Sequence, residues 1–261
     1  MKHLKKSALI MVLLIVCSMN MLFAQTFKRF EVKEKTGEVL VVETKKIPAQ
    51  IIPKDRYGDL PSLRVNRVVY WEYDSNLEKT VERNVRFRGD VKLPEKTSAF
   101  EVSTKSISKD DLLQVVSWAT TKENRKNYGY KDLPTDVSRL NAKQILVWCN
   151  AFSESRGLQP VYYTKKGSVY RDAGKMEGIT IDANANGYRV PFISECYVME
   201  NLVGMKLPTN EIATARAGLI KTGCSDKYGN DIYAVYNWTD QNMYRASESR
   251  VSYNFYVVKN K

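Results

Sequence analysis

Histidine, the commonest general base and metal ligand, occurs once in the 261 residues, at His3, and cysteine occurs four times. His3 sits in a segment with the pattern of a signal peptide. Lys2, Lys5 and Lys6 form a positive n-region, Ala8 to Cys17 is apolar, and Met21-Leu22-Phe23-Ala24 offers small-residue cleavage before Gln25. A chain beginning at Gln25 has no histidine, and its net charge is three units below the +12 of the whole sequence. This excludes a Ser-His-Asp triad, a Cys-His pair, a histidine general base and histidine-ligated zinc or iron. Cys149, Cys196 and Cys224 remain. Three cysteines permit one internal disulfide, leave one thiol and cannot build a four-thiolate zinc site.

Carboxylates are the other source of chemistry. Asp182-Ala183-Asn184-Ala185-Asn186-Gly187 fits the first half of an EF-hand loop, but the twelfth position, where a bidentate glutamate belongs, is Ile193. Asp226 and Asn230 could supply oxygens to a separate calcium site. Glu177, Asp182 and Glu195 lie near one another in sequence, and a glycosidase needs two such groups flanking a sugar. Asp110 and Asp111 are better explained by a helix N-terminus, whose partial positive charge they complement. Arg86 and Arg88 share a strand face, a solvated surface or an anion contact. Long Lys/Arg blocks are absent, so the basic balance reads as surface character and not as a nucleic-acid footprint.

The elements that must position these groups change along the chain. Residues 1–24 are the export segment. Residues 25–96 read as β-rich, either a small β domain or a sheet extension of the C-terminal part. In that segment, Phe27, Phe30 and Val32, a Lys35-Thr36-Gly37-Glu38 turn and Val39-Leu40-Val41-Val42 form a hairpin pattern. Strands are also expected over Arg67–Tyr73 and Val81–Arg88. From residue 97 helices enter. Ser108-Lys109-Asp110-Asp111 is a capping box ahead of Leu112, Leu113, Val116 and Ala119 at helical spacing. Leu140, Ile145, Trp148, Cys149 and Phe152 fall on one face of a second helix, with Gly157 suited to its left-handed C-terminus. Turns are expected at Lys166-Gly167, Asn186-Gly187 and Gly229-Asn230, and Val251–Val258 reads as a closing strand. Two main helices among many short strands indicate an α+β fold. Tyr70, Tyr162 and Tyr253, among the sixteen tyrosines, fall in strand patterns that use them as core. The apolar run at the N-terminus is too short to span a membrane, and no second run approaches the length, so no transmembrane segment is expected in the mature chain.

The stretch Val137-Ser138-Arg139-Leu140-Asn141-Ala142, Trp148-Cys149-Asn150-Ala151-Phe152-Ser153-Glu154 and Gly157-Leu158-Gln159-Pro160-Val161-Tyr162 resembles the formylglycine-generating enzyme family, or sulfatase-modifying-factor domain. That family carries V-S-W-x-D-A, Y-C-N-W-L-S-E and G-L-x-P-x-Y. Asn186-Gly187-Tyr188-Arg189-Val190-Pro191 is similar to its N-G-Y-R-L-P motif, and Phe100–Ser108 to its opening F-x-I-x-K-x-E-V-T. Gly229-Asn230 with Trp238, Tyr244-Arg245-Ala246 and Asn254–Val258 stand, in order, where the family has G-N-V-W-E-W, R-S-A and G-F-R-V-V. The resemblance covers about residues 98–259 and implies a C-type-lectin-like α+β fold.

The departures bear on function. Active members use two cysteines in the C-terminal part to bind copper and oxidise a substrate cysteine, but Ser225 to Lys261 contains none. The R-G-G-S segment is missing. Phe192-Ile193-Ser194-Glu195-Cys196 replaces T-E-A-E-W and keeps only Glu195. Tyr233 replaces a glutamate that helps hold calcium. Copper is therefore not expected as a cofactor, and calcium is left only the oxygens of the Asp182–Gly187 loop or of Asp226 with Asn230. The reading is an exported, non-catalytic member of the family, periplasmic or at the cell surface. It would serve as a binding or structural module for a protein or glycan of the bacterial envelope. Arg189 and Glu195 are its candidate ligand-binding residues. The alternatives are an enzyme of altered chemistry on the same fold, and an assembly component docking through its N-terminal β segment. A lipobox reading at Leu14-Ile15-Val16-Cys17 puts Val16 where a small residue is usual.

Overall fold

In the computed structural model the described residues are 40–261, apart from 88, 135–139, 176–177, 217–218, 251–252 and 261. The export segment, most of the expected 27–42 hairpin, Arg88, Val137 to Arg139 and Glu177 lie outside them. Four α-helices can be followed: α1 (Lys109–Thr120), α2 (Lys122–Asn127), α3 (Ala142–Ser155) and α4 (Ile193–Tyr197), the last continuing as π-helix over Val198–Leu202. Helix α1 starts where its capping box requires. Asp111 N–H donates to Ser108 Oγ at 3.2 Å, and the Asp111 carboxylate accepts from Ser108 N–H at 2.9 Å. Its buried face is Leu112, Val115 and Ala119, whereas Leu113, expected inside, is exposed. The three buried positions follow an i, i+3, i+7 spacing, which holds one face of a 3.6-residue turn more closely than adjacent leucines can.

Among the described residues, two larger sheets stand beside three two-stranded ones. The four-stranded antiparallel sheet runs in the order Thr44–Ile47, Phe100–Ser103, Val258–Asn260, Tyr188–Arg189. The six-stranded sheet runs Ile212–Ala213, Asp231–Asn237, Met243–Arg245, Arg67–Asp74, Lys79–Arg86, with Ile220–Ser225 also paired to Asp231–Asn237. Its one parallel pair sets Met243 opposite Val68 and Tyr244 opposite Val69. Strands from the 25–96 segment thus pair directly with strands from the later part in both sheets. The molecule is α+β. Among the described residues, no helix is long and apolar enough to cross a membrane.

Helix α3 is buried nearly all round, with only Gln144 and Ser155 partly open. A helix in that position must satisfy every polar side chain it carries inward. Its N-terminus is closed by a capping box between Asn141 and Gln144. Its C-terminus turns at Gly157, whose φ of 67° is the left-handed conformation that glycine adopts without steric cost. Trp148 packs edge-on to Phe255 at 5.5 Å between ring centres, and its Nε1–H donates to the Leu112 carbonyl at 3.0 Å, tying α3 to α1. Asn150 is fully used. Its amide donates to the carbonyls of Tyr162 and Tyr170 at 2.8 and 2.9 Å, and its carbonyl accepts from the Val161 and Tyr162 N–H groups, both at 3.0 Å.

The closing strand differs from its expectation. Regular pairing is confined to Val258–Asn260, while buried Tyr253, Phe255, Tyr256 and Val257 run outside any ladder. Their backbone is satisfied by irregular partners: Ile107 N–H donates to Phe255 O, and Tyr256 N–H donates to Glu211 Oε1. Alternating apolar residues report an extended, half-buried chain, and extended chain need not pair as a strand. Leu40 is buried without being in a strand, its carbonyl accepting from Arg156.

Replacing Asn150 by leucine removes the side-chain partner of the buried Val161 and Tyr162 N–H groups and of the Tyr170 carbonyl, at about 1–3 kcal/mol each before relaxation, while the Tyr162 carbonyl keeps the Tyr170 N–H. Equilibrium denaturation of Asn150→Leu is expected to show a loss of about 3–5 kcal/mol. A loss below about 1 kcal/mol would contradict the role given to this side chain.

Candidate functional site

The path from α3 to the candidate residues is short. Ser153 Oγ accepts from Tyr188 N–H at 2.8 Å and donates to the Cys149 carbonyl at 2.7 Å. This approach requires Gly187. A Cβ there would sit 2.2 Å from the Gln159 carbonyl and 2.6 Å from Ser153 Oγ. Tyr162, held at its backbone by Asn150, accepts from Val190 N–H through its phenol oxygen at 3.0 Å. Burial holds that phenol well above its ordinary pKa, so it stays neutral. The two anchors bracket Arg189.

Arg189 and Glu195 are both buried and form a two-point ion pair, with Nη1 and Nη2 each 2.7 Å from a carboxylate oxygen. Nη1 also donates to the Val190 carbonyl at 3.2 Å and Nη2 to Asn260 Oδ1 at 2.9 Å. Phe192 N–H donates to Glu195 Oε2 at 2.8 Å, so the carboxylate also caps α4. The guanidinium lies 3.7 Å over the Phe192 ring. Four of the five guanidinium donors are thereby engaged, and the fifth, Nε–H, is buried without a partner. The two sequence-expected residues are therefore brought together, with Glu195 spent on its arginine and its helix.

Both residues line a cleft of about 480 Å³. Its walls come from Val91 to Pro94 and Lys96 to Ala99, from Arg189 and Phe192 to Glu195, from Thr214 to Arg216, and from Ala183 and Asn260. Two threonines in it carry unpartnered buried hydroxyls, Thr97 Oγ1 and Thr214 Oγ1. Thr214 is fixed beside Phe192 by backbone bonds on both sides, from its N–H to Pro191 O and from Ile193 N–H to its own carbonyl. Exposed Lys92, Lys96 and Arg216 stand at the rim. The sequence offers no local sign of these five residues. A threonine with an orphaned hydroxyl has the same one-letter neighbourhood as one that is satisfied, and Thr97 and Thr214 are more than a hundred residues apart along the chain.

The other candidates are engaged elsewhere. Asp182 accepts from Gln159 Nε2 and from Asn184 N–H, both at 2.9 Å, and Asn186 Oδ1 accepts from Gln159 N–H. These contacts make the Asp182–Gly187 segment a hydrogen-bonded turn. Asp226 accepts from Tyr228 and Asn230 N–H groups and pairs with Arg245. Partial burial raises its pKa, but the Asn230 N–H, Arg245 and the remaining donors outweigh this and bring it below the usual carboxylate range. Among the described residues, no three His, Cys, Asp or Glu side chains cluster as a metal site. All three thiols are free, and burial pushes those of Cys149 and Cys196 far above the range in which a thiolate forms at neutral pH. Tyr70, Tyr162 and Tyr253 are buried.

Comparison with known proteins places little beside this geometry. The chain matches no family model and no curated protein. Among solved structures it is similar to a crystal structure of CarF, at 12% identity and a TM-score of 0.47, over 85% of this chain and 99% of that one. It is also similar to Treponema denticola variable protein 1, at 14% identity and a TM-score of 0.40, over 84% and 95%.

Two measurements check the site's electrostatics. Glu195→Ala strands a buried guanidinium and is expected to cost about 3–5 kcal/mol in denaturation, whereas Arg189→Met combined with Glu195→Leu recovers most of that loss. Equal losses in both would mean that packing and not charge sets the cost. Glu211 is fully buried, and burial holds its carboxyl well above the usual range against the single N–H of Tyr256. The unfolded chain therefore releases this proton first as pH rises. Stability contributed by the protonated form falls from the ordinary carboxyl range, about pH 4.3, upward toward the folded pKa. Glu211→Gln, which keeps the acceptor for Tyr256, is expected to flatten that decline and to melt higher than the parent at pH 8. An unchanged profile would contradict this assignment.

Proposed function

We propose that this chain is an exported, non-catalytic member of the formylglycine-generating, sulfatase-modifying-factor family. In this reading it adopts a C-type-lectin-like fold and works in the bacterial envelope as a binding module. The observation that carries the reading is the cleft at Arg189 and Glu195: it presents a preformed polar wall, and its one carboxylate is already neutralised by a buried arginine. A general acid or base must reach a substrate with a free oxygen, and both oxygens of this carboxylate are engaged by Arg189 and the Phe192 N–H. The family's oxidation chemistry needs two reactive thiols in the C-terminal part, where this chain has no cysteine, and Cys149 and Cys196 are held protonated in the core. Retained Asn150, Ser153, Gly187 and Arg189 all do structural work, which accounts for their presence without the reaction. Envelope location rests on the n-region, apolar core and cleavage pattern of residues 1–24.

Two outcomes are expected. Incubation with a cysteine-containing sulfatase peptide, copper and oxygen yields no aldehyde by mass spectrometry, and robust turnover would overturn the non-catalytic reading. N-terminal sequencing of the protein recovered from its producing cell begins at Gln25-Thr26-Phe27. A protein that retains His3 would overturn export by signal cleavage, and a lipid-blocked Cys17 would replace it with membrane anchoring.

A further inference from the structure

Resting on the cleft assigned above as the binding site, we infer that its ligand carries an oxyanion, a carboxylate or a sulfate or phosphate ester, on a body no larger than a disaccharide. Three of the buried side-chain polar atoms that lack a partner belong to residues lining this one cleft: Thr97 Oγ1, Thr214 Oγ1 and Arg189 Nε. Native proteins leave few such atoms, because each forfeits a hydrogen bond it had in water, and several around one cavity mark a place where a partner is missing. Their chemistry specifies that partner. Arg189 Nε–H can only donate, and both threonine hydroxyls can donate, so the complementary group is rich in acceptors. The charge agrees. Lys92, Lys96, Arg189 and Arg216 line the cleft against the single carboxylate of Glu195, and that carboxylate is consumed by Arg189 and the Phe192 N–H. The excess positive charge therefore lies at the rim, where Lys92, Lys96 and Arg216 are exposed and draw an anion in. The floor is preorganised. Arg189 is clamped by Glu195, Asn260 and the Val190 carbonyl and laid on Phe192, so its Nε–H keeps one direction with little ordering left to do on binding. A volume of about 480 Å³ falls within the range of small-molecule sites.

Calorimetric titration of the protein with glucuronate, glucose and inorganic sulfate at low salt tests this. Glucuronate and sulfate are expected to bind saturably, weakening as salt is raised, and glucose is expected to give no saturable heat. Thr97→Val with Thr214→Val should weaken glucuronate by about tenfold or more, one charge-assisted hydrogen bond being worth at least that factor. The same double variant should melt no lower than the parent, because the hydroxyls it removes have no internal partner to lose; a merely structural role for them would lower the melting temperature instead. Lys92→Gln with Lys96→Gln should weaken binding and flatten its salt dependence while leaving the melt unchanged. Glucose binding as tightly as glucuronate, and lost in the valine variant, would overturn the oxyanion while keeping the cleft. Glucuronate binding that ignores the valine substitutions would overturn both. Absence of saturable heat with all three probes would overturn the inference.

Discussion

The carboxamide of Asn150 is the constraint on which the described fold turns. Its four hydrogen bonds all go to backbone, at Val161, Tyr162 and Tyr170, so one side chain fixes the path of the chain after the central helix. From there the order propagates by contact. Tyr162, so placed, receives Val190 N–H on its phenol, and Ser153, three residues along the helix, receives Tyr188 N–H. Arg189 lies between those two bonds and has little freedom left before it meets Glu195. A buried helix with polar side chains is expensive unless each one is matched. Here the matching is what transmits position from the core to the cleft.

The same arrangement commits the buried carboxylates to partners within the fold. Glu195 faces Arg189, Asp182 closes a turn, Asp226 meets Arg245, and burial holds the Glu211 carboxyl well above the usual carboxylate range. Two of the three thiols lie where desolvation disfavours the thiolate. A buried ion pair such as Arg189 with Glu195 adds little net stability relative to apolar packing, and its best-supported value is in specifying one arrangement. Its effect in this molecule is to fix a guanidinium that lines the cleft and keeps one N–H donor unused.

How much of this is legible in the sequence depends on how local each signal is. The capping box at Ser108 and Asp111, the periodic face of α3 and the left-handed Gly157 are decided by neighbours within four residues, and the structure carries all three. Arg189 and Glu195 are legible as a candidate pair because a family-like motif puts them six residues apart. Val251–Val258 is legible only in part, since alternation reports which side chains are inside but not where the backbone N–H groups go. In this segment they go to Glu211 and Ser103. Val115 takes the inward place expected of Leu113 because the packing partner, α3, selects the stripe that is buried. Thr97, Thr214 and Arg216 are not legible at all. Their significance comes from distant segments meeting at one cavity and from bonds that are not made, and neither leaves a trace in residue type or spacing.

The most direct test of the account is the Arg189 side chain itself, observed as its Nε–H resonance by nuclear magnetic resonance while glucuronate is titrated in. An unpartnered buried donor that gains an oxyanion acceptor should move strongly downfield, with saturation, and glucose should leave it in place. A resonance that stays fixed while glucuronate saturates the protein would show that the anion binds elsewhere and that the cleft beside Arg189 is not the working site.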